Sequence, residues 1–485
     1  MTIKDLNPQI VWKNFYAMTQ IPRPSKKEGK AVEFLYNFGK SLGLDTYKDE
    51  IGNIIIRKPA TPGMENRMGV ILQAHIDMVP QKNADKVHDF EKDPIETRVD
   101  GDWVRANGTT LGADNGLGVA VAMSVLESKD LVHGPVEVLL TIDEETGMTG
   151  ARALKPGLLK GDILVNLDSE TEGELYVGCA GGLDVEAVFK YEEKQVPSAG
   201  YVPFRLNVKG FKGGHSGMDI ILGRANANKL MARVLLPLIR DFGALLCNIE
   251  GGTLRNAIPR EAFAVILVPV SNIDAVKASV AKAAAEIKDE YALADPDGEV
   301  FLEEAQAPEK YMEENAALRY VKAVHCCPNG VERMSDAMPG LVETSNNMAV
   351  IKAEGGKASV LTLMRGSVDS AKDAFAEDIR CLFELAGAEI SFSGGYSGWA
   401  PKMDSPILST MKRIYKGLYG NEPAVMAIHA GLECGILGGT YPNWDMISCG
   451  PTIKSPHSPD ERTDWHSVEK WWNFIKKVLE EIPAK

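Results

Sequence analysis

The sequence predicts an α/β protein, a three-layer αβα body interrupted by an inserted α+β domain. Three observations predict it. Short apolar runs of strand length alternate with helical patterns through residues 1–185, as a sheet covered by helices on both faces requires. Several of those runs are apolar at nearly every position, the pattern of central strands buried on both sides. After about residue 185 the element order becomes βαββαβ, the split ferredoxin-like arrangement.

In chain order, helical spacing over 8–42 predicts an N-terminal helix. Strands are expected at 53–57 and 69–74, a helix at 115–128, and strands at 136–142 and 162–167. The insertion reads as strand 204–208, helix 223–240, strands 245–250 and 262–270, helix 273–291 and strand 299–303. A rougher second copy follows, with helix 313–325, strands 341–351 and 358–364, helix 370–386 and strand 388–392. Gly394-Gly395 then punctuates, and a closing helix is expected at 467–482. The expected organisation is a first domain made of 1–185 and 397–485, with 186–396 inserted and apparently duplicated.

Bulk properties agree and exclude some functions. A chain of 485 residues exceeds one ordinary core. The formal charge of −14 argues against nucleic acid as a partner. No stretch approaches the roughly 20 apolar residues that span a bilayer. The N-terminal residues lack a charged segment followed by an apolar one, so a cytoplasmic protein is expected. The seven cysteines are an odd set, and the adjacent Cys326 and Cys327 suit neither a structural zinc pair nor a redox CxxC, which points to reduced thiols.

The informative acids and histidines are placed by the strands. His75 and Asp77 lie at the carboxyl end of one expected strand, Glu144 and Glu145 follow a second, and Asp168 follows a third. Asp114 sits in a Gly-Ala-Asp-Asn-Gly turn before a helix. Open α/β sheets bind ligands beyond the carboxyl ends of their strands. Each residue alone has a bland reading, as a helix cap, a dipole-favoured first turn or a solvated loop. Together they converge on one edge of one sheet, and carboxylates with imidazole suit zinc, manganese or cobalt.

The segments 74–77, 112–116, 143–147, 166–170 and 456–461 resemble those of the M20 metallopeptidases, in order and spacing. Further segments at 213–217, 256–261 and 429–435 are similar to the aminoacyl-histidine dipeptidase branch of that family. The resemblance implies a zinc-peptidase catalytic domain with an inserted lid, and two Zn2+ per subunit, with Co2+ or Mn2+ as substitutes. It implies His75 and Asp168 on one metal, Glu145 and His457 on the other, and Asp114 bridging both through a residue followed by a cis peptide. Asp77 would orient His75, and Glu144 would act as general base toward a metal-bridging water. His215 would donate to the oxyanion, from its own subunit or a neighbour's. Asn256 and Arg365 would grip the substrate backbone and terminal carboxylate. The expected activity is hydrolysis of small dipeptides, Xaa-His and β-Ala-His included, by a homodimer. Two alternatives stay open: an amidohydrolase of N-acyl amino acids, which would use the same metals and base, and an inactive metal-binding scaffold.

Overall fold

A computed structural model describes residues 2–306 and 308–485. The chain forms two compact units. The first comprises Met1–Gly178, Pro401–Ala427 and Leu432–Lys485, and the second Cys179–Ala400 with Ile428–Gly431. The joins thus fall at 178/179 and 400/401 rather than at 185/186 and 396/397. The reason is pairing: strand Gly181–Lys190 is hydrogen-bonded along its whole length to Lys357–Gly366. Cys179 and Trp399 also exchange both backbone hydrogen bonds at 2.9 Å.

The first unit is built on an eight-stranded sheet. Its spatial order is Asp45–Lys48, Ile54–Lys58, Val136–Thr141, Val70–His75, Ile163–Asn166, Asp445–Ser448, Glu174–Cys179 and Ala424–Ile428. Four central strands, Val136–Thr141 through Asp445–Ser448, run parallel. Val70–His75, Val136–Thr141 and Ile163–Asn166 are buried at every position, which is why they read as unbroken apolar runs. Asp445–Ser448 is half-exposed at Asp445 and Met446, and its sequence reads as a turn.

The expected N-terminal helix is two helices, Gln9–Thr19 and Gly29–Ser41. Pro22 and Pro24 break it, since each removes an N–H donor and its ring clashes with the preceding turn. The intervening extended segment carries Arg23 inward, to 1% exposure. Helix Ala113–Glu127 is lined with Ala, Gly and Val, is buried almost all round, and packs on both Gln9–Thr19 and Val70–His75. A small four-stranded sheet pairs Arg462–Asp464 with Ile453–Lys454 on one side and with Trp103–Ala106 on the other, and Thr97–Asp100 lies beyond. It holds the 455–461 hairpin beside the segment leading to Asp114. The closing helix is Trp465–Glu480.

The second unit is two ferredoxin-like blocks in one sheet. One block orders its strands Glu299–Glu304, Tyr201–Lys209, Ala262–Pro269 and Leu245–Gly251, with helices Ala227–Phe242 and Ile273–Glu290. The other continues with Val342–Glu354, Lys357–Gly366, Gly181–Lys190 and Glu389–Tyr396, with helices Glu314–Cys326 and Asp369–Leu385. The blocks join where Ile249–Gly251 pairs antiparallel with 351–353. Gly252 turns away from this seam at φ 71°, and a Cβ there would lie 1.8 Å from the Ala349 carbonyl oxygen. The duplication is therefore nested. The second block's first strand, Gly181–Lys190, precedes the entire first block instead of following it.

No helix among the described residues is long and apolar enough to cross a membrane. The cysteines form no disulfide among the described residues.

Candidate metal centre

The candidate acids and histidines of the first unit lie at or just beyond the ends of parallel strands or in the turn before a helix, except His457, which a small antiparallel sheet presents. His75 closes Val70–His75 and is 1% exposed. Glu144 and Glu145 open the one-turn helix that follows Val136–Thr141, where Asp143 turns the chain at φ 50°. Asp168 lies two residues beyond Ile163–Asn166. Asp114 precedes the regular part of its helix, and the Asp114–Asn115 peptide is cis. His457 sits in the hairpin held by the small sheet.

The arrangement divides around Asp114. Its Oδ1 lies 3.1 Å from His75 Nε2, which also lies 3.3 Å from Asp168 Oδ1. Its Oδ2 lies 3.2 Å from His457 Nε2, which lies 3.0 Å from Glu145 Oε2. One carboxylate thus offers one oxygen to each of two imidazole–carboxylate pairs. Asn115 donates to both Asp168 Oδ1 and, at 3.1 Å, the Leu167 carbonyl, which fixes the Asp168 side chain.

Asp77 braces the set from behind. Its Oδ1 faces His75 Nδ1 at 3.3 Å and accepts the Glu144 N–H at 3.0 Å. Its Oδ2 accepts from the Ser25 hydroxyl and the Glu145 N–H. One carboxylate therefore sets both the His75 ring and the backbone that presents the two glutamates. Burial would raise the Asp77 carboxyl, but His75 and these donors outweigh it and hold it at about 2.

The electrostatics are those of buried carboxylates crowded around two imidazoles. Burial disfavours protonation of His75, yet Asp168, Asp114 and Asp77 together hold it well above its ordinary value. Hydrogen bonds to Asp114 and Glu145 lift His457 to about 11. Burial pushes Glu144, Glu145 and Asp168 upward, and neighbouring carboxylates add to it. Burial with the charges of Asp114 and Asp168 takes Glu170 to about 8. Glu145 Oε1 is buried without a hydrogen-bond partner among the described residues. Ligand atoms of His75, Asp114 and Glu145 all lie within 4.8 Å of one another. Three carboxylates, one of them with an unpartnered buried oxygen, and two imidazoles are a donor set that fits hard or borderline divalent cations.

The sequence assigns no role to three other residues of this centre, Glu433, Glu461 and Arg23. Glu433 is fully buried, and its Oε2 accepts from Gln73 Nε2 at 2.6 Å and Thr141 Oγ1 at 2.8 Å. Burial pushes it to about 7, with His75 pulling the other way. Glu461 accepts backbone N–H groups of the Asp114 loop, and Arg23 donates to the loops after Ile76 and before Ala113. A hint of Glu461 exists, since it ends the same short segment as His457.

His215, Arg365 and Asn256 lie in the second unit. Arg365 is 4% exposed, yet it makes no salt bridge among the described residues. Its donors reach Ser216 Oγ and Tyr396 Oη at 3.2 Å, and its Nη2 lies 3.5 Å from His215 Nε2. Burial first, then the Arg365 charge, lowers His215 to about 4, so its ring is neutral at pH 7. His215 Nδ1 accepts from the Gly217 and Met218 N–H groups, which leaves Nε2 as the protonated nitrogen. His429, which the chain returns to this unit, binds Ser345 Oγ at 2.7 Å and is held at about 3 by burial and Arg365. Asn256 has an exposed side chain, and its carbonyl accepts the Ser216 N–H at 2.9 Å. The result is a buried cation beside neutral hydroxyl and imidazole groups, an environment suited to a carboxylate.

Residues 71–481 match the family described as peptidase family M20/M25/M40. The chain is 45% identical over 483 residues to the cytosol non-specific dipeptidase of Escherichia coli, covering 100% of this chain and 99% of that protein. Its fold is similar to the crystal structure of aminoacylhistidine dipeptidase from Vibrio alginolyticus, with a TM-score of 0.94, 48% identity, and coverage of 100% and 99% of the two chains. An aminopeptidase from Bacillus cereus shares the fold at 15% identity and a TM-score of 0.58, covering 98% and 99%. Match length, identity and shared architecture agree: this chain belongs to the M20 peptidase family.

Proposed function

We propose that the protein is a dipeptidase that uses two divalent cations, zinc first among them. His75 and Asp168 would hold one cation, His457 and Glu145 the other, and Asp114 both. The observation that carries this is the division of the two Asp114 oxygens between His75 and His457. When bound, the cations supply Lewis acidity and lower the pKa of a shared water. Glu144, presented by the turn that Asp77 braces, accepts the proton of the attacking water and returns it to the departing amine. Burial and nearby carboxylates raise its pKa, which favours holding that proton between the two steps. His215 donates from Nε2 to the developing oxyanion, and its neutral state at pH 7 leaves that N–H in place.

Arg365 is proposed to take the free terminal carboxylate of the substrate, and Asn256 to contact its backbone. An Arg365→Lys variant keeps the charge but loses the planar fork. A hydrogen bond to a charged group is worth about 1.5–3 kcal/mol, so KM for a dipeptide is expected to rise roughly 10- to 150-fold. The C-terminal amide of that dipeptide, having no carboxylate, should be hydrolysed equally poorly by both proteins. Equal KM values for the free dipeptide would overturn the assignment.

Two relatives that match end to end bear the names of dipeptidases, one non-specific and one acting on aminoacyl-histidine. This supports Xaa-His dipeptides, β-Ala-His among them, as substrates within a broader range. The test is hydrolysis of a panel of Xaa-His, Xaa-Ala, β-Ala-His and N-acetyl amino acids, with products identified by mass. Activity on dipeptides, lost on chelation and restored by Zn2+, is the expected result. Preference for the N-acetyl compounds would establish the amidohydrolase instead, and no turnover with metal bound would leave a scaffold.

A further inference from the structure

Glu461 and Arg23 are buried, opposite in charge, and both directed at peptide groups. Glu461 is 2% exposed and its carboxylate accepts four consecutive backbone N–H groups. Leu111 and Gly112 donate to Oε2 at 2.7 and 2.9 Å, and Ala113 and Asp114 to Oε1 at 2.8 and 3.2 Å. Gly112, Ala113 and Asp114 are among the donors a helix start leaves without internal partners, and an ionised acceptor makes each bond stronger than a neutral one. On the other side, Arg23 Nη2 donates to the Gly112 carbonyl at 2.5 Å. Its Nη1 donates to the Ile76 and Asp77 carbonyls at 2.8 and 2.9 Å. The peptide groups of Gly112 are thus gripped from both ends. Gly112 adopts φ 68°, and a Cβ there would lie 2.6 Å from Arg23 Nη2.

Three of the metal-centre segments meet in this grip. Arg23 ties the chain just after His75 to the chain just before Asp114. Glu461 ties the hairpin of His457 to the same loop. We infer that Arg23 and Glu461 are positioning residues that fix where the Asp114 carboxylate stands between His75 and His457, and so set the affinity and geometry of the metal pair. This rests on the reading of Asp114 and His457 as metal ligands. The hydrogen bonds of both side chains go to backbone groups. Each acts through the Leu111–Asp114 backbone.

The test uses the full-length protein and its Glu461→Gln, Arg23→Lys, Asp114→Asn and His457→Ala variants. Metal-free thermal stability is measured beside Zn2+ affinity, by competition with a chromophoric chelator, and the absorption spectrum of bound Co2+. Glu461→Gln turns part of the acceptor into a donor facing N–H groups, and a 10- to 100-fold loss of Zn2+ affinity is expected, the range for residues that orient ligands. An altered Co2+ spectrum and a fall in kcat at unchanged KM should accompany it. Arg23→Lys keeps the charge but loses the three-carbonyl fork, and should shift affinity in the same direction. Folded variants of both kinds with normal Zn2+ affinity and a normal Co2+ spectrum would overturn the inference, whatever their thermal stability. Failure of both to fold without metal would also overturn it, by making the pair purely structural. Normal affinity in Asp114→Asn and His457→Ala would instead remove the metal assignment itself.

Discussion

Replacing Asp114 by asparagine is expected to abolish tight binding of the metal pair and to lower kcat/KM at least about 10³-fold. The amide is the same size, so the loop should keep its shape, held by the four N–H bonds to Glu461. What changes is that only one of the two side-chain atoms can still accept or coordinate. The other becomes an N–H2 facing the imidazole of His75 or of His457, where an oxygen now lies within 3.2 Å of each ring. Losing the cations forfeits several kcal/mol of transition-state stabilisation, and each 1.4 kcal/mol is tenfold in rate. Metal content by mass spectrometry and dipeptide turnover check this together. A variant that retains two equivalents of metal and near-normal turnover would show that Asp114 is not shared.

Glu144→Gln is expected to behave differently, with kcat reduced about 10²- to 10⁴-fold while metal content stays normal. Its backbone N–H bonds Asp77, and the substitution leaves that contact alone. The side chain carries none of the four short imidazole–carboxylate contacts among the proposed metal ligands. The variant should therefore bind metal and substrate while lacking the group that moves the proton. Single-turnover kinetics with metal-loaded protein separate the two effects. A Gln variant with normal turnover would remove Glu144 from the mechanism. One with depleted metal would make it a ligand.

How much of this could be read from the residues depended on whether a position's meaning is local. His75, Glu144, Glu145 and Asp168 stand at the ends of runs whose apolar character marks them as buried parallel strands, so their convergence follows from the sheet. Arg23 and Glu461 were not legible as partners. Their partners are peptide groups 53, 54 and 89 positions away for Arg23 and 347 to 350 for Glu461, and any sequence offers peptide groups. The Asp445–Ser448 strand escaped because half its residues face outward at the start of the strand. The N-terminal helix was drawn too long because apolar spacing outvoted two prolines. The first strand of the second ferredoxin-like block has no counterpart among the expected elements, for a different reason. It is an ordinary ten-residue run, and nothing within Gly181–Lys190 says that its partner is Lys357–Gly366.

That nested order has a consequence for how the chain assembles. As the polypeptide leaves the ribosome, Gly181–Lys190 emerges early and then waits while residues 191–356 are made, roughly ten to thirty seconds at ordinary elongation rates. The strands within 201–304 need no such delay, because they pair among themselves. This inner block can finish first, leaving Leu245–Gly251 as an open edge for Val342–Glu354 to join. The outer block is then laid onto a finished template, with its long-orphaned first strand among the last to be zipped in.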